Sequence, residues 1–285
     1  MNYRHAFHAG NFADVVKHAV LARVIEHMKL KDAPFRVIDT HAGAGLYALD
    51  GPEAAKTGEW QGGIGRLIGA DRAPLTTPVR TLLAPYLDAV AAENGGAALV
   101  RYPGSPWLAR RLLRPQDRLV VNELHEADHA GLAALFARDK QTKVLALDGW
   151  TTLKALLPPR ERRAVVLVDP PFEQAGEFER LADGLAEARR RFATGTLLLW
   201  YPIKDRPAVQ RFQRALSAMA IPKLLAADLF VRSPRDNDML NGAGLVILNP
   251  PFTLPAELEI LLPALARLLA QGPGSGHALQ WLAGA

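Results

Sequence analysis

The stretch "VVLVDPPFEQ" (165–174) runs four apolar residues straight into Asp-Pro-Pro-Phe, and "LVILNPPFTL" (245–254) almost repeats it with Asn-Pro-Pro-Phe. Near-continuous Val/Ile/Leu runs of this length belong to strands buried on both faces, as in a parallel sheet covered by helices. Outward from 165–174 the same pattern recurs at "FRVIDT" (35–40), "RLVVNEL" (118–124), "KVLALDG" (143–149), "GTLLLWY" (195–201), "LLAADLFVR" (224–232) and "GLVILNP" (244–250). Helical patterns accompany them at 11–31, 130–139, 178–192 and 207–220. This alternation predicts a doubly wound α/β fold. The last two strands are separated only by "SPRDNDMLNGA" (233–243), which predicts a hairpin and a last strand antiparallel to the others. About 75 residues stand between the first two strands, far more than one crossover helix needs. They include the helical pattern "TPVRTLLAPYLDAVAAENG", so the expectation is a single domain over 1–285 with a helical insertion over 47–104.

Strand direction separates the two Pro-Pro-Phe segments. Asp169 ends a strand that follows three others in parallel alternation, on the carboxyl edge where open α/β sheets bind ligands. Asn249 ends the returning strand of the hairpin and is expected at the opposite edge, as a chain-turning element. The loop before it, with Arg235, is what reaches the ligand side.

Composition sets the frame for this edge. The chain has 285 residues, 49% hydrophobic and 22% charged, enough for a sizeable core. It has no cysteine, which excludes disulfides and thiolate metal sites and suits a reducing cytoplasm. No apolar run reaches the roughly 18–20 residues of a membrane span, and the opening "MNYRHAFHAGNFAD" lacks the apolar core of a signal peptide. A net charge of +5 fits an anionic partner without requiring one.

The first strand ends in "DTHAGAG" (39–45), a glycine turn that lets the backbone approach a ligand. Its spacing is not G-x-G-x-x-G, and no acid closes a second strand about 20 residues on, so a dinucleotide is not indicated. Four strands end in acids: Asp39, Glu123, Asp148 and Asp169. Such an edge would repel a pyrophosphate. It suits a ligand with ribose hydroxyls, an exocyclic amine and a cationic sulfonium, that is, S-adenosylmethionine.

The segments "YRHAFHAGNFADVVKH", "DTHAGAG", "YPGSP", "NELH", "LDGW" and "DPPF" occur in that order. Together they resemble the bacterial 23S ribosomal RNA adenine-N6 methyltransferases, and the resemblance extends from residue 3 to "GPGSGHA" near the end. It implies a Rossmann-like class I methyltransferase sheet and methyl transfer from S-adenosylmethionine to an adenine amine of 23S ribosomal RNA. It implies catalytic roles for Asp169, Pro170 and Phe172. Around the cofactor it sets His18, His41, Ser105, Glu123, Asp148, Gly149 and Asp169. On the RNA side it sets Tyr3, His5 and Lys17. A cytoplasmic monomer, with neither a metal nor a membrane partner, completes the expectation.

Other readings stay open at this point. A DNA adenine methyltransferase can use the same tetrapeptide, and a nucleic-acid-binding module could retain the motifs with a dead site. "HEADH" (125–129) matches the zinc-protease H-E-x-x-H, but its context is poor: no glutamate between 127 and 160 supplies a third ligand. Basic segments at 109–118, 158–163 and 187–192, with Arg232 and Arg235 and the N-terminal Arg4, Lys17 and Lys31, could form a phosphate track.

Overall fold

The computed structural model describes residues 4–69, 72–95, 98–204, 206–233 and 239–284. The strands in chain order are β1 (Arg36–Asp39), β2 (Leu46–Ala48), β3 (Arg101–Pro103), β4 (Arg118–Asn122), β5 (Thr142–Leu145), β6 (Ala164–Val168), β7 (Thr196–Ile203), β8 (Leu224–Phe230), β9 (Gly242–Leu248) and β10 (Gly276–Ala283). The helices are α1 (Phe12–Met28), α2 (Pro52–Thr57), α3 (Gly65–Ile68), α4 (Thr77–Asn94), α5 (Ser105–Leu112), α6 (Glu126–Phe136), α7 (Gly149–Leu156), α8 (Glu177–Arg191), α9 (Arg206–Ala218) and α10 (Leu254–Leu268).

Eight strands form one sheet in the order β5-β4-β1-β6-β7-β9-β8-β10. β5, β4, β1, β6 and β7 are parallel neighbours, and β9 runs against both β7 and β8. The apolar runs are buried because the sheet is covered on both sides. Val165 and Leu167 face the layer containing α1, α4 and α10, whereas Val166 and Val168 face that of α8 and α9. This alternation along one strand is the two-residue period of the pleat. The expected antiparallel hairpin is therefore present, with one addition: β10 follows it and pairs antiparallel with β8. Between β1 and β4 stand α2, α3, α4 and α5, together with a two-stranded antiparallel sheet, β2–β3, that the sequence reading did not anticipate.

Register settles the directions of the two Pro-Pro-Phe segments. Val165, near the start of β6, pairs with Thr196, and Leu197 pairs with Leu248. Asn249 thus lies at the amino edge. Its Nδ2 donates to the Ala193 and Gly195 carbonyls at 2.9 and 2.8 Å, and its own carbonyl accepts from Thr196 Oγ1 at 2.9 Å. Asp169 is at the other end of β6, on the order of 13 Å along the strand. Phe252 of the second segment is 83% exposed and meets the His27 ring edge-on. Among the described residues, no helix is long and apolar enough to cross a membrane.

Candidate active site

The carboxyl ends of β1, β4, β5 and β6 open into one cavity of about 830 Å³. Its walls come from the glycine turn after β1, the loops after β4, β5 and β6, the start of α1 and the segment between β1 and β4.

The turn after β1 brings Thr40 and His41 to the cavity wall, while Asp39 before them is buried and does not line it. Gly43 and Gly45 adopt φ values of +61° and +83°, left-handed conformations that favour glycine. The Gly43 N–H donates to Glu123 Oε2 at 2.7 Å, and the His125 N–H donates to Glu123 Oε1 at 2.7 Å. Two backbone donors thereby fix the Glu123 carboxylate, and each oxygen keeps a second lone pair. Asp148 caps α7 by accepting from the Thr151 N–H at 2.8 Å. Gly149 follows it directly under the His41 ring, where a Cβ would stand 2.4 Å from Nε2. Burial pushes His41 down to about 4, so its ring is neutral at physiological pH.

Ser105, the first residue of α5, donates to Asp39 Oδ2 at 2.6 Å, and the His41 N–H donates to Oδ1 at 3.2 Å. Burial pushes the Asp39 carboxyl up to about 7; the nearby Asp169 charge adds to this, and the Ser105 hydrogen bond opposes it. The sign of the linkage follows. Between its ordinary value near 3.8 and about 7, the unfolded chain ionises while the folded chain holds the proton, so stability falls with rising pH. Asp39→Asn, which can still accept from His41 and donate to Ser105, should match the native chain at about pH 4 and melt higher above pH 7. Thermal unfolding across that range checks this; a variant that melts lower at pH 8 would contradict the assignment.

Asp169-Pro170-Pro171-Phe172 leaves β6 into the cavity. Phe172 has φ +53° and is held edge-on by Phe178 and Trp200, with ring centroids 5.1 and 5.9 Å away. The Lys17 ammonium reaches Asp169 Oδ2 at 2.5 Å and Asp14 Oδ1 at 2.8 Å. Burial alone would lower Lys17, but the charges of Asp14 and Asp169 outweigh it and raise its pKa, so the amine stays protonated. Asp14 also accepts from the Gly10 N–H at 2.9 Å and pairs with His5 Nε2 at 2.9 Å. His18 stacks on Tyr102 and bonds its hydroxyl through Nδ1 at 2.7 Å; burial depresses it to about 3.

Nearly all the residues singled out from the sequence thus line one cavity: His5, Lys17, His18, His41, Ser105, Glu123, Asp148, Gly149, Asp169, Pro170 and Phe172. Tyr3 lies outside the described residues, as does Arg235, although its flanking Arg232, Met239 and Leu240 line the mouth. Sequence reading missed Asp14, Asn122 and Trp200. Asp14 stands three and four residues before Lys17 and His18, the helical spacing that puts all three on one face. Asn122 ties the strand ends together, donating to the Thr40 and Leu147 carbonyls at 3.0 and 2.8 Å. In "HEADH", His125 is the N-cap of α6 rather than one of two ligands on a helix face. Among the described residues no group of three His, Cys, Asp or Glu is placed to hold a metal ion.

The basic segments divide by edge. Residues 109–118, 158–163 and 187–192 lead into β4, β6 and β7 and so lie towards the amino edge, away from the cavity. There Arg114 pairs with Asp117, Arg163 donates to the Ala33 and Met28 carbonyls, and Arg190 and Arg191 pair with Glu187. Among the described residues, the lysines and arginines on the cavity wall are Lys17, Arg66, Arg180, Lys204 and Arg232.

A parallel sheet whose strand ends carry acids, a glycine turn and an Asp-Pro-Pro-Phe motif at one cavity is the arrangement of a Rossmann-like methyltransferase. A family model described as "Ribosomal RNA large subunit methyltransferase D, RlmJ" matches residues 32–283, and the chain belongs to this family. It is 41% identical over 283 residues to "Ribosomal RNA large subunit methyltransferase J" of Escherichia coli, with 99% of each chain covered. It is 40% identical over 284 residues to the Haemophilus influenzae protein of the same name, again covering 99% of each. The crystal structure of a Legionella pneumophila protein superposes with a TM-score of 0.86 at 34% identity, covering 96% of this chain and 98% of that one.

Proposed function

We propose that this chain transfers a methyl group from S-adenosylmethionine to the exocyclic N6 amine of an adenine in 23S ribosomal RNA. The observation that carries the reading is the position of Asp169-Pro170-Pro171-Phe172 at the carboxyl edge, in the same cavity as the acid-lined glycine turn. The relatives' names point to ribosomal RNA of the large subunit as the substrate and do not favour DNA.

The donor set fits the cofactor. Glu123, already oriented by two backbone N–H groups, offers lone pairs to ribose hydroxyls, and Asp148 offers an acceptor for an adenine amine. Gly149 lets the His41 ring pack directly on its backbone, where a Cβ would stand 2.4 Å from Nε2, so the two form one wall of the cavity. When bound, S-adenosylmethionine supplies an electrophilic methyl on a cationic sulfonium, which the acidic edge tolerates.

The remaining work falls to the chain's own residues. An adenine amine is a poor nucleophile because its lone pair is conjugated with the ring. The Asp169 carboxylate and the Pro170 carbonyl accept from its two hydrogens and favour a pyramidal nitrogen, and Asp169 is the group positioned to take the proton. Phe172, fixed by Phe178 and Trp200, offers its ring to a base turned out of its stack. Catalysis is then chiefly orientation and placed charge.

The test is labelled-methyl transfer to naked 23S ribosomal RNA and to duplex DNA, with N6-methyladenine identified in the product. Transfer to RNA alone is expected. Transfer to DNA alone, or none to either, would sink the reading. Binding to the RNA should weaken steeply with salt, by about 0.7 log units per tenfold salt for each phosphate contacted on a single strand.

A further inference from the structure

The carboxylate most deeply set in this site is one that the methyl-transfer chemistry does not call for. Asp14 lies in the first turn of α1 and is 1% exposed. Asn11 caps that turn, its Oδ1 accepting from the Ala13 and Asp14 N–H groups at 2.9 and 3.0 Å. The two oxygens of Asp14 face different partners. Oδ2 takes the Gly10 N–H and His5 Nε2, each at 2.9 Å, and so anchors the N-terminal turn. Oδ1 takes the Lys17 ammonium at 2.8 Å, with His18 Nε2 at 3.8 Å. The same ammonium touches Asp169.

An ammonium facing Asp169 alone would draw that carboxylate into a tight one-to-one pair and neutralise the acceptor the target amine needs. A second, buried carboxylate changes the balance. It shares the cation, so the trio carries a net negative charge and Asp169 keeps acceptor capacity. It also holds the lysine head in place, because a buried ion pair has no water to compete for it. We propose that Asp14 is a positioning residue for methyl transfer, fixing the Lys17 ammonium between two carboxylates so that Asp169 meets the target amine in one orientation and with its charge available. This inference rests on the methyl-transfer reading above and assigns Asp14 a role exercised through Lys17.

Asp14→Asn tests the Lys17 side selectively. The single amide oxygen can keep His5 and Gly10, both of which sit on Oδ2, while the amide NH2 is turned towards the ammonium. Among the described residues, Lys17 is faced by Asp14 and His18 on α1, Tyr86 of α4, Asp39 at the end of β1 and Asp169 at the end of β6, while His5 in the N-terminal turn faces Asp14. In the native chain the two carboxylates hold Lys17 above its usual range. In the variant one of them is gone and burial pulls the other way, so kcat should acquire a basic limb that the native enzyme lacks.

The experiment measures kcat, KM for RNA, cofactor affinity and the pH profile of the native chain, Asp14→Asn, Lys17→Met and the double variant. Native transfer to RNA tests the underlying reading by itself. With that in hand, Asp14→Asn should lower kcat by about 100-fold, the cost of misplacing a reacting group by around 1 Å, with cofactor affinity unchanged and the basic limb present. The double variant removes the Asp14 charge together with the Lys17 charge, so position 14 holds no carboxylate stripped of its ammonium, and Asp169 loses its cation in Lys17→Met and in the double variant alike. Its kcat should equal that of Lys17→Met, since Asp14 acts through the lysine. Native kcat in Asp14→Asn, or a further large loss in the double variant over Lys17→Met, overturns the proposal.

Discussion

Asp169→Asn should lower methyl transfer by about 10²- to 10⁴-fold while leaving cofactor affinity close to native, the scale expected when a positioned acid–base group is lost. The argument turns on Lys17. Its ammonium is buried at 2.5 Å from Asp169 Oδ2 and has donors only, so whatever occupies position 169 must show it an acceptor. An asparagine has one acceptor oxygen, and the ammonium claims it. The NH2 is then left facing the target amine, donor against donor, where the carboxylate offered a second oxygen. A site without such a lysine could run on Asn-Pro-Pro-aromatic; this one requires Asp. Folding should survive, because Lys17 retains Asp14. Single-turnover transfer, cofactor titration and thermal unfolding on the same sample separate these effects. Turnover within about tenfold of native would remove Asp169 from its assigned role.

The parts of the fold that were legible were those where burial is two-sided. "AVVLV" of β6 and "GAGLVIL" of β9 are buried at every residue, and short, β-branched apolar runs bounded by turn residues mark strands covered on both faces. β10 escaped notice for the opposite reason. It is an edge strand with most of its residues partly or fully exposed, Trp281 at 39%, and "GHALQWLA" carries no clear period of two. The short strands β2 and β3 have three residues each, too few for any period.

At the site, the strand-end acids were readable because parallel strands put their carboxyl ends on one edge by topology alone. Asp14 was not. In a surface helix the charged face announces itself by contrast with an apolar face, but α1 is buried along almost its whole length, Asp14, Lys17 and His18 included. Without an exposed face to contrast with, periodicity cannot distinguish a solvated charge from an interior one. The placement of the basic segments was not legible for a related reason: composition reports arginines, not the edge they stand on. The amino-edge ones prove to be spent largely on carboxylates and backbone carbonyls.

Gly149→Ala is the substitution expected to damage the cofactor side most for the fewest atoms added. The added Cβ would lie 2.4 and 2.6 Å from His41 Nε2 and Cε1 and 2.9 Å from the Thr40 carbonyl oxygen. The backbone of Gly149 is an ordinary helical start after the Asp148 cap, so the conflict is steric rather than conformational. His41 has little freedom to yield: Thr40 Oγ1 bonds its Nδ1 at 2.9 Å, and Trp150 meets its ring edge-on at 5.8 Å. Either the imidazole swings into the cavity, or α7 moves off and takes the Asp148 carboxylate with it. Both routes spoil the same wall. Cofactor affinity should fall by about 100-fold, and stability by about 1–3 kcal/mol, the usual cost of overpacking. Gly131→Ala supplies the internal control. Its Cβ would meet only the Ala44 Cβ at 3.7 Å, ordinary contact, in the interior of α6. There the helix preference of alanine should stabilise the chain by about 0.5–1 kcal/mol with cofactor binding intact. The same methyl group, added at two glycines near one cavity, should therefore act with opposite signs on stability. Calorimetric titration with cofactor and thermal unfolding of the two variants checks both signs, and equal affinities would show that the wall formed by Gly149 and His41 does not bear on the cofactor.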